Sequence, residues 1–239
     1  KNLNKFNNFK ILKLSNITFS YIREKRLILK DLSIKIKAGE FIGIVGSSGE
    51  GKSTLLNLLC GLNKPLKGLF LIDEEEVFKN FHNLKSWRNQ VSYVSQNIYL
   101  TPYSIVSNIT LREDNSFDKE RLDYAIKTAQ LERFIKSLKD GIYSKVGDKA
   151  MQISGGQKQR IGIARALYQK KNFLILDEAT SSLDKKNEEK IISHLFNKSD
   201  IKQTIILVSH KINILRNCNK IFYLKNGVVF EKSFYDLEK

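Results

Sequence analysis

The sequence predicts an α/β fold, and three patterns along the chain indicate it. An apolar run at 41–45 indicates a strand, and the fully apolar run at 173–176 is typical of a strand that is buried on both faces of a parallel sheet. The first run leads through a glycine-rich turn into a leucine-rich helical pattern at 54–59. Helical patterns dominate roughly 97–165, which we expect to be a helical subdomain inserted in the core before strand–helix alternation resumes.

Further β-type patterns lie near both ends of the chain. Runs at 11–21 and 27–36 precede the first apolar strand. Near the C-terminus, runs at 221–225 and 228–230 are separated by Asn226-Gly227, a dipeptide that favours the tight turn of a β-hairpin. We therefore expect strands to dominate both ends of the chain, with helices between them.

The glycine-rich turn at 46–53 has the pattern G-x-x-x-x-G-K-S of a phosphate-binding loop, and it stands between a strand and a helix as such a loop must. Glycines let backbone N–H groups turn inward toward phosphate oxygens, and the helix N-terminus adds the positive end of its dipole. Lys52 is expected to reach the β- and γ-phosphates of a nucleotide, and the Ser53 hydroxyl to bind Mg²⁺. The expected nucleotide-binding residues are Gly46, Ser47, Ser48, Gly49, Glu50, Gly51, Lys52, Ser53 and Thr54.

Two carboxylates, Asp177 and Glu178, directly follow the apolar run 173–176. Ligands of open α/β sheets bind at the carboxyl ends of the strands, so this position suits both side chains for chemistry. Asp177 is expected to hold Mg²⁺, and Glu178 to orient or deprotonate an attacking water. Two solvated residues at a strand end would be the ordinary interpretation if the phosphate-loop pattern were missing.

A second glycine-containing helix start lies at Ser154-Gly155-Gly156-Gln157. Ile161, Ala164, Leu167 and Tyr168 form one apolar face of the helix that follows, so its N-terminus is expected to be an exposed anion site. One ATP needs only one phosphate loop. The second site therefore suggests that this helix start serves another nucleotide.

In these motifs and in their order, the chain resembles the ATP-binding domain of an ABC transporter. The family signature is Leu-Ser-Gly-Gly-Gln, and this sequence has Ile153 at its first position. The resemblance implies a phosphate-loop NTPase core with a flanking antiparallel β-subdomain and an inserted helical subdomain, with ATP and Mg²⁺ as cofactors. Residues 1–10, which are polar and aperiodic, would be a linker from a preceding segment, and 11–239 the domain itself. The core and β-subdomain would be 11–96 and 166–239, and the helical subdomain 97–165.

The resemblance assigns roles to four residues that would be unremarkable alone. Tyr21 matches the aromatic residue that stacks on adenine, and Gln96 the glutamine that senses Mg²⁺ and contacts the membrane partner. Asp184, in the loop 182–184, matches a segment that crosses a dimer interface, and His210 matches the histidine that contacts the γ-phosphate. Without the resemblance they would be a strand-end core residue, two loop residues and a structural histidine.

The resemblance also implies two partners. A second copy of the domain would pack head to tail with the first around two ATP molecules, and a transmembrane domain would use the work of hydrolysis. Exporter-type patterns occur at 104–109 and at 146–150, where Asp148 keeps a charge and Ala150 replaces a usual glycine. Residues 95–100 and 161–168 are similar to segments of lipid-linked oligosaccharide flippases. These patterns favour export or flipping of a substrate, with lipids, lipid-linked oligosaccharides and peptides as candidates.

Three alternatives remain at this point. An ATPase subunit of an importer would carry the same motifs, and transmembrane helices encoded upstream of Lys1 would distinguish an exporter from it. A soluble ABC ATPase acting on nucleic acid would be expected to carry a heptad run or a second cassette, and the sequence has neither. A nucleotide binder without hydrolysis would not be expected to keep both Glu178 and His210.

Composition agrees with a domain placed at the cytoplasmic face of a membrane. The chain of 239 residues begins with Lys1, which suggests a fragment or a processed chain, and its apolar runs fall short of the ~20 residues of a spanning helix. The net charge is +16, but the lysines are scattered and no nucleic-acid module is recognisable, so we expect no nucleic-acid partner. Cys60 and Cys218 are far apart and indicate neither a zinc site nor a disulfide.

Glu50 is the one departure inside the phosphate loop, where small neutral residues are usual. Because the loop binds through backbone N–H groups, its carboxylate can point away from the nucleotide or face a dimer partner. The sequence leaves this choice open.

Overall fold

A computed structural model describes residues 5–22, 26–112, 116–146, 153–196 and 203–237. The chain divides into two compact units. The first comprises Lys1–Tyr93, Lys171–Asp177 and Asp200–Lys239, and the second comprises Val94–Lys170 and Glu178–Ser199.

The described residues of the first unit form two sheets and two α-helices. The strands are β1 (Ile11–Phe19), β2 (Leu29–Lys37), β3 (Phe41–Val45), β4 (Lys67–Ile72), β5 (Glu75–Glu76), β6 (Val91–Val94, ending one residue into the second unit), β7 (Phe173–Asp177), β8 (Thr204–Val208), β9 (Lys220–Lys225) and β10 (Val228–Lys232). The helices are α1 (Lys52–Leu59) and α2 (Phe81–Arg88).

The larger sheet has the strand order β10-β9-β3-β8-β7-β6. Strands β9, β3, β8 and β7 run parallel, and β3 and β8 are buried along their whole length, as strands covered on both faces must be. The predicted hairpin is confirmed: β9 and β10 pair antiparallel, and Asn226 and Gly227 both have positive φ, 53° and 79°, as the tight turn requires.

The smaller sheet is antiparallel, with the order β2-β1-β4-β5. It contains the β-type runs predicted at 11–21 and 27–36, although β1 ends at Phe19 and β2 begins at Leu29. The pairing of β1 with both neighbours shifts register around Asn16, whose φ is 51°. This irregularity bends the strand, as bulges do.

Trp87 lies at the centre of an aromatic cluster in the core of the first unit. It is fully buried, and its indole N–H donates to the Leu59 carbonyl at 2.7 Å. Phe9, Phe70 and Phe173 pack against it with ring centroids 5.3–5.6 Å away. Within the segment predicted as a linker, Phe6 and Phe9 are only 4% and 5% exposed, so this end of the chain contributes to the core.

The second unit is helical. Its helices are α3 (Ile105–Thr110), α4 (Lys119–Thr128), α5 (Glu132–Lys136), α6 (Gly155–Tyr168) and α7 (Lys185–Phe196). Helix α6 packs against α3 and α4. Helices α3, α4 and α5 and most of α6 lie within the stretch of roughly 97–165 that was expected to be helical, and the unit also takes in α7, beyond that stretch.

A buried asparagine and an arginine fix the segment that precedes α3. The Asn108 amide accepts from the Thr101 N–H at 2.9 Å and donates to the carbonyls of Thr101 and Ser104 at 3.0 Å each. Arg165 of α6 donates to the Asn108 carbonyl at 2.7 Å and to the Tyr99 carbonyl at 3.1 Å. In the non-repetitive chain from 99 to 104, two side chains therefore satisfy the carbonyls of Tyr99, Thr101 and Ser104.

Candidate nucleotide-binding site

Three consecutive parallel strands end at one edge of the larger sheet. The phosphate loop follows β3, His210 lies two residues beyond β8, and Asp177 is the last residue of β7. Because β8 lies between β3 and β7 and all three are parallel, these groups lie along the same edge. Ligands of parallel sheets bind at this edge.

The backbone of the phosphate loop requires glycine at two positions. A Cβ on Gly46 would lie 2.5 Å from the Leu224 carbonyl oxygen of the neighbouring strand β9. Gly51 caps α1 with a φ of +99°, and a Cβ there would lie 3.0 Å from the Ile28 side chain. A side chain at either position would move the loop or change its turn.

The Lys52 side chain lies over the loop. Its ammonium group donates to the carbonyls of Gly46 at 2.6 Å and Ser47 at 2.9 Å. Ser47, Ser48, Gly49 and Ser53 are exposed. A loop of exposed backbone with a cation above it and a helix start at its end fits a phosphate chain.

The Glu50 carboxylate accepts a hydrogen bond from the backbone N–H of Asn226, in the turn between β9 and β10. Of the two orientations that the sequence left open, the structure therefore has Glu50 bonded to its own chain. This contact ties the loop to the hairpin at the edge of the sheet.

Tyr21 lies close to the first turn of α1. Its hydroxyl is 3.2 Å from the Thr54 hydroxyl, and its ring stands edge-on to Phe19 with centroids 5.1 Å apart. The side chain is 38% exposed, while Thr54 is buried. One face of an aromatic ring beside the phosphate loop suits a purine base.

Tyr93 is a site residue that no local sequence pattern indicated. Its hydroxyl donates to Asp177 Oδ2 at 2.5 Å. Burial, followed by this hydrogen bond and the charge of Asp177, raises the pKa of Tyr93, so the phenol carries its proton at neutral pH. Burial and then the charge of Asp177 also raise the pKa of the Cys60 thiol to about 12. The contact could not be read from spacing, because the two residues are 84 positions apart.

In the second unit, α6 begins at the predicted anion site. Ser154 is the N-cap: its hydroxyl accepts from the Gln157 N–H at 3.2 Å, and the Gln157 side chain accepts from the Ser154 N–H at 2.9 Å. Ser154 and Gly155 are exposed and Gly156 is partly exposed. This capping box fixes the helix start and leaves the Gly155 backbone accessible.

Gln159 joins α6 to the loop that follows Glu178, and the sequence motifs did not point to it. It is buried, donates to the Ser181 hydroxyl at 2.9 Å and to the Glu178 carbonyl at 3.4 Å, and accepts from the Ser182 N–H at 2.8 Å. Glu178 has a φ of 49°, which is uncommon for a residue with a side chain.

Asp184 caps α7. Its carboxylate accepts from the Asn187 N–H at 3.0 Å and from the Asn187 side-chain amide at 2.6 Å. The first of these bonds, followed by the second, lowers the pKa of Asp184. The carboxylate assigned to a loop that crosses a dimer interface is thus also a structural cap.

The structure brings together, in the first unit, the phosphate loop, Tyr21, Asp177 and His210. Gln96, Glu178, Asp184 and the Ser154–Gln157 helix start belong to the second unit, where Gln96 is exposed just beyond β6. Of the exporter-type stretch 146–150, only Val146 lies within the described residues. No helix in the described parts of the chain is long and apolar enough to cross a membrane.

Comparisons with known proteins agree on one family. The sequence profile of the ABC transporter family matches residues 29–181. The chain is 37% identical over 220 residues to the ATP-dependent lipid A-core flippase of Wigglesworthia glossinidia brevipalpis, covering 92% of this chain and 37% of that protein. It is 40% identical over 219 residues to multidrug resistance protein pgp-1 of Caenorhabditis elegans, covering 91% and 16%.

A solved structure of a bacterial Atm1-family ABC exporter with ATP bound has the same fold. It matches with a TM-score of 0.86 at 33% identity, over 97% of this chain and 40% of that one. The predicted α/β fold is therefore confirmed. The chain spans at most two fifths of the length of each of these three proteins.

Proposed function

Because the chain belongs to the ABC transporter family, we propose that it hydrolyses ATP with Mg²⁺ and that hydrolysis drives export or flipping of a substrate by a transmembrane domain. The observation that carries the proposal is the sheet edge where the phosphate loop, His210 and Asp177 follow three adjacent parallel strands. A nucleoside triphosphate, a metal and an attacking water meet in such a site.

The residues of the edge fit Mg²⁺ bound together with phosphates. Magnesium is commonly held by one or two carboxylates and by substrate phosphates. Asp177 and Ser53 would hold the ion together with the nucleotide, assisted by Gln96. When bound, the ion would neutralise charge on the phosphate oxygens.

In hydrolysis, water attacks the γ-phosphorus as the bond to the bridging oxygen breaks. Lys52 would neutralise charge on the phosphate oxygens, and His210 would hold the γ-phosphate in place. Glu178 would orient the water and take its proton. The positive φ of Glu178 and the hydrogen bond to its carbonyl restrict its backbone, which favours a fixed orientation for this base.

Two partners complete the proposal. The exposed helix start at Ser154 would bind the nucleotide held by a second copy, so that each γ-phosphate would join Lys52 of one chain to Ser154 of the other. A transmembrane domain would respond to the opening and closing of that dimer. The domain would then lie at the cytoplasmic face of the membrane.

The descriptions of similar proteins favour export or flipping over import. One relative is described as a lipid A-core flippase, another as a multidrug resistance protein, and the matched structure as an exporter. The words exporter and flippase in these descriptions fit export or flipping, and the name of the flippase includes a lipid. We accordingly propose export or flipping as the activity, with a lipid or lipid-linked molecule among the candidate cargoes.

The test is ATP hydrolysis by the purified domain and by Glu178→Gln. We expect Mg²⁺-dependent release of phosphate from the parent, and a fall of about 10²-fold or more in kcat for the variant, because a general base contributes about that much. ATP binding by Glu178→Gln should be retained, while Lys52→Ala should weaken it. Hydrolysis by Glu178→Gln at the parent rate would remove Glu178 from the role of base.

A further inference from the structure

Tyr93 and Asp177 form a contact between neighbouring strands at the proposed metal site. Tyr93 lies in β6 and Asp177 ends β7, and the two strands are adjacent in the sheet. The neighbours of Tyr93 along the strand, Ser92 and Val94, are buried, while Tyr93 itself is 40% exposed on the other face. The strand therefore presents this phenol, and neither neighbour, to the face on which it meets Asp177.

The geometry of the contact restricts the carboxylate. The phenol oxygen is 2.5 Å from Asp177 Oδ2, a length typical of a hydrogen bond to an ionised oxygen. The terminal torsion of an aspartate is broad, so an unrestrained carboxylate samples many orientations. A short hydrogen bond from a residue whose backbone lies in a strand removes part of that freedom.

Magnesium is sensitive to this kind of restriction. The ion demands nearly ideal octahedral geometry at short distances, so an oxygen ligand that is already oriented binds it with less loss of conformational entropy. The phenol holds one carboxylate oxygen, Oδ2, and leaves the other one outside this contact.

We propose that Tyr93 is a positioning residue for magnesium: its hydroxyl orients Asp177 so that the carboxylate can hold the ion, directly or through water. This inference rests on the proposed ATPase function. It predicts that loss of the hydroxyl weakens the contribution of Mg²⁺ to nucleotide binding and leaves the nucleotide site otherwise intact.

The experiment compares ATP affinity in Mg²⁺ with ATP affinity in EDTA, measured by calorimetry on Glu178→Gln protein so that hydrolysis does not interfere. In this background we compare Tyr93→Phe, which removes one oxygen and keeps the ring, with Tyr235→Phe, whose side chain is 71% exposed. Tyr93→Phe should keep the metal-free affinity and lose about tenfold or more of the affinity in Mg²⁺, the effect of one charge-assisted hydrogen bond. Tyr235→Phe should change neither value.

Hydrolysis by variants with Glu178 intact gives a second readout. Tyr93→Phe should raise the Mg²⁺ concentration at half-maximal activity by about tenfold or more, and should recover the parent kcat at saturating Mg²⁺. A hydroxyl that served only folding would lower kcat at every Mg²⁺ concentration. That result, or an equal loss of affinity with and without the metal, overturns the inference.

The parent protein and Asp177→Asn separate this inference from the function on which it rests. The proposed function requires that the parent binds ATP more tightly with Mg²⁺ and that Asp177→Asn loses this gain in affinity. If both hold and Tyr93→Phe shows the same gain as the parent, the role of Tyr93 alone is overturned. If the parent shows no gain from Mg²⁺, the proposed metal-dependent function fails and the inference fails with it.

Discussion

Tyr21 combines two chemical groups that act on different neighbours. Its hydroxyl contacts Thr54 at 3.2 Å within the protein, whereas its partly exposed ring has a face available to a base. A neutral hydrogen bond contributes about 0.5–1.5 kcal/mol net, and a base stacked on an aromatic ring about 1–3 kcal/mol. The two contributions can be separated because phenylalanine keeps one of them.

We therefore expect Tyr21→Ala to weaken ATP binding at least about fivefold, the equivalent of 1 kcal/mol. Tyr21→Phe should cost little affinity, since the ring remains. Titration of the Glu178→Gln protein with ATP measures both. Equal and large losses for the two variants would assign the function to the hydroxyl and refute the stacking role.

At the scale of single residues, the sequence predicted residue types within motifs but not their distant partners. Glu50 was recognised as unusual in its loop, yet its hydrogen-bond partner Asn226 is 176 positions away. Tyr93 gave no signal at all, because a tyrosine in a short β-strand is ordinary until the neighbouring strand is known. Local spacing contains no information on such pairs.

The first turns of helix α6 combine an exposed helix start with hydrogen bonds to a neighbouring loop. Its N-terminus exposes Gly155, and one turn later Gln159 holds the loop after Glu178 through hydrogen bonds of 2.8 Å and 2.9 Å to Ser182 and Ser181. A change at the helix start can therefore reach the residues next to the proposed base through a single buried side chain.

Replacing Gln159 by Leu should test this connection. The change removes two short hydrogen bonds, so we expect a loss of about 1–3 kcal/mol in the free energy of unfolding. Loss of the support for the Glu178 carbonyl should lower kcat more than it changes KM. Thermal denaturation and steady-state kinetics measure the two effects.

The exposed neighbour Lys158 provides a matched control on the same helix. Lys158→Ala should change the free energy of unfolding by no more than about 0.5 kcal/mol. If Gln159→Leu were as stable and as active as Lys158→Ala, the hydrogen bonds between α6 and the loop would contribute neither to stability nor to catalysis.

Elements with a strong local signature were predictable, and those that depend on tertiary contacts were not. Strands β3 and β7, with their apolar runs 41–45 and 173–176, and the Asn226-Gly227 hairpin were recognised from residues within each element. By contrast, Phe6 and Phe9 lie among polar residues with no periodicity, so their burial against Trp87 had no sequence signal.

For the whole molecule, the order of the motifs indicates the family, whereas dimer formation depends on which groups are exposed at the surface. The Ser154–Gln157 helix start presents exposed backbone at an N-terminus, and the capping box keeps it in place. In the proposed dimer this site would bind the γ-phosphate held by Lys52 of another copy. ATP would then be part of the interface, and ADP, which lacks the γ-phosphate, would not complete it.

We expect the isolated domain to be largely monomeric without nucleotide, because a domain without a tether has a low effective concentration of partner. The Glu178→Gln protein should dimerise with ATP and Mg²⁺ and not with ADP. Sedimentation velocity at matched protein concentrations measures this difference. A monomer with both nucleotides, even at high concentration, would contradict the shared site.

Gly155→Asp tests whether the dimer uses the helix start of α6. The substitution keeps the Ser154 cap, and a carboxylate in the first turn of a helix is compatible with the dipole, so the variant should fold. A Cβ at this position lies in ordinary contact with Ser182, at 3.5 Å, and Gly155→Ala therefore serves as the neutral control.

In the Glu178→Gln background, Gly155→Asp should bind ATP as a monomer with the affinity of the Glu178→Gln protein, because its own nucleotide contacts the phosphate loop. It should fail to dimerise, since the new carboxylate would face the γ-phosphate of the partner's ATP, whereas Gly155→Ala should still form the dimer. Dimerisation of Gly155→Asp to the same extent as Gly155→Ala would show that another surface joins the two copies.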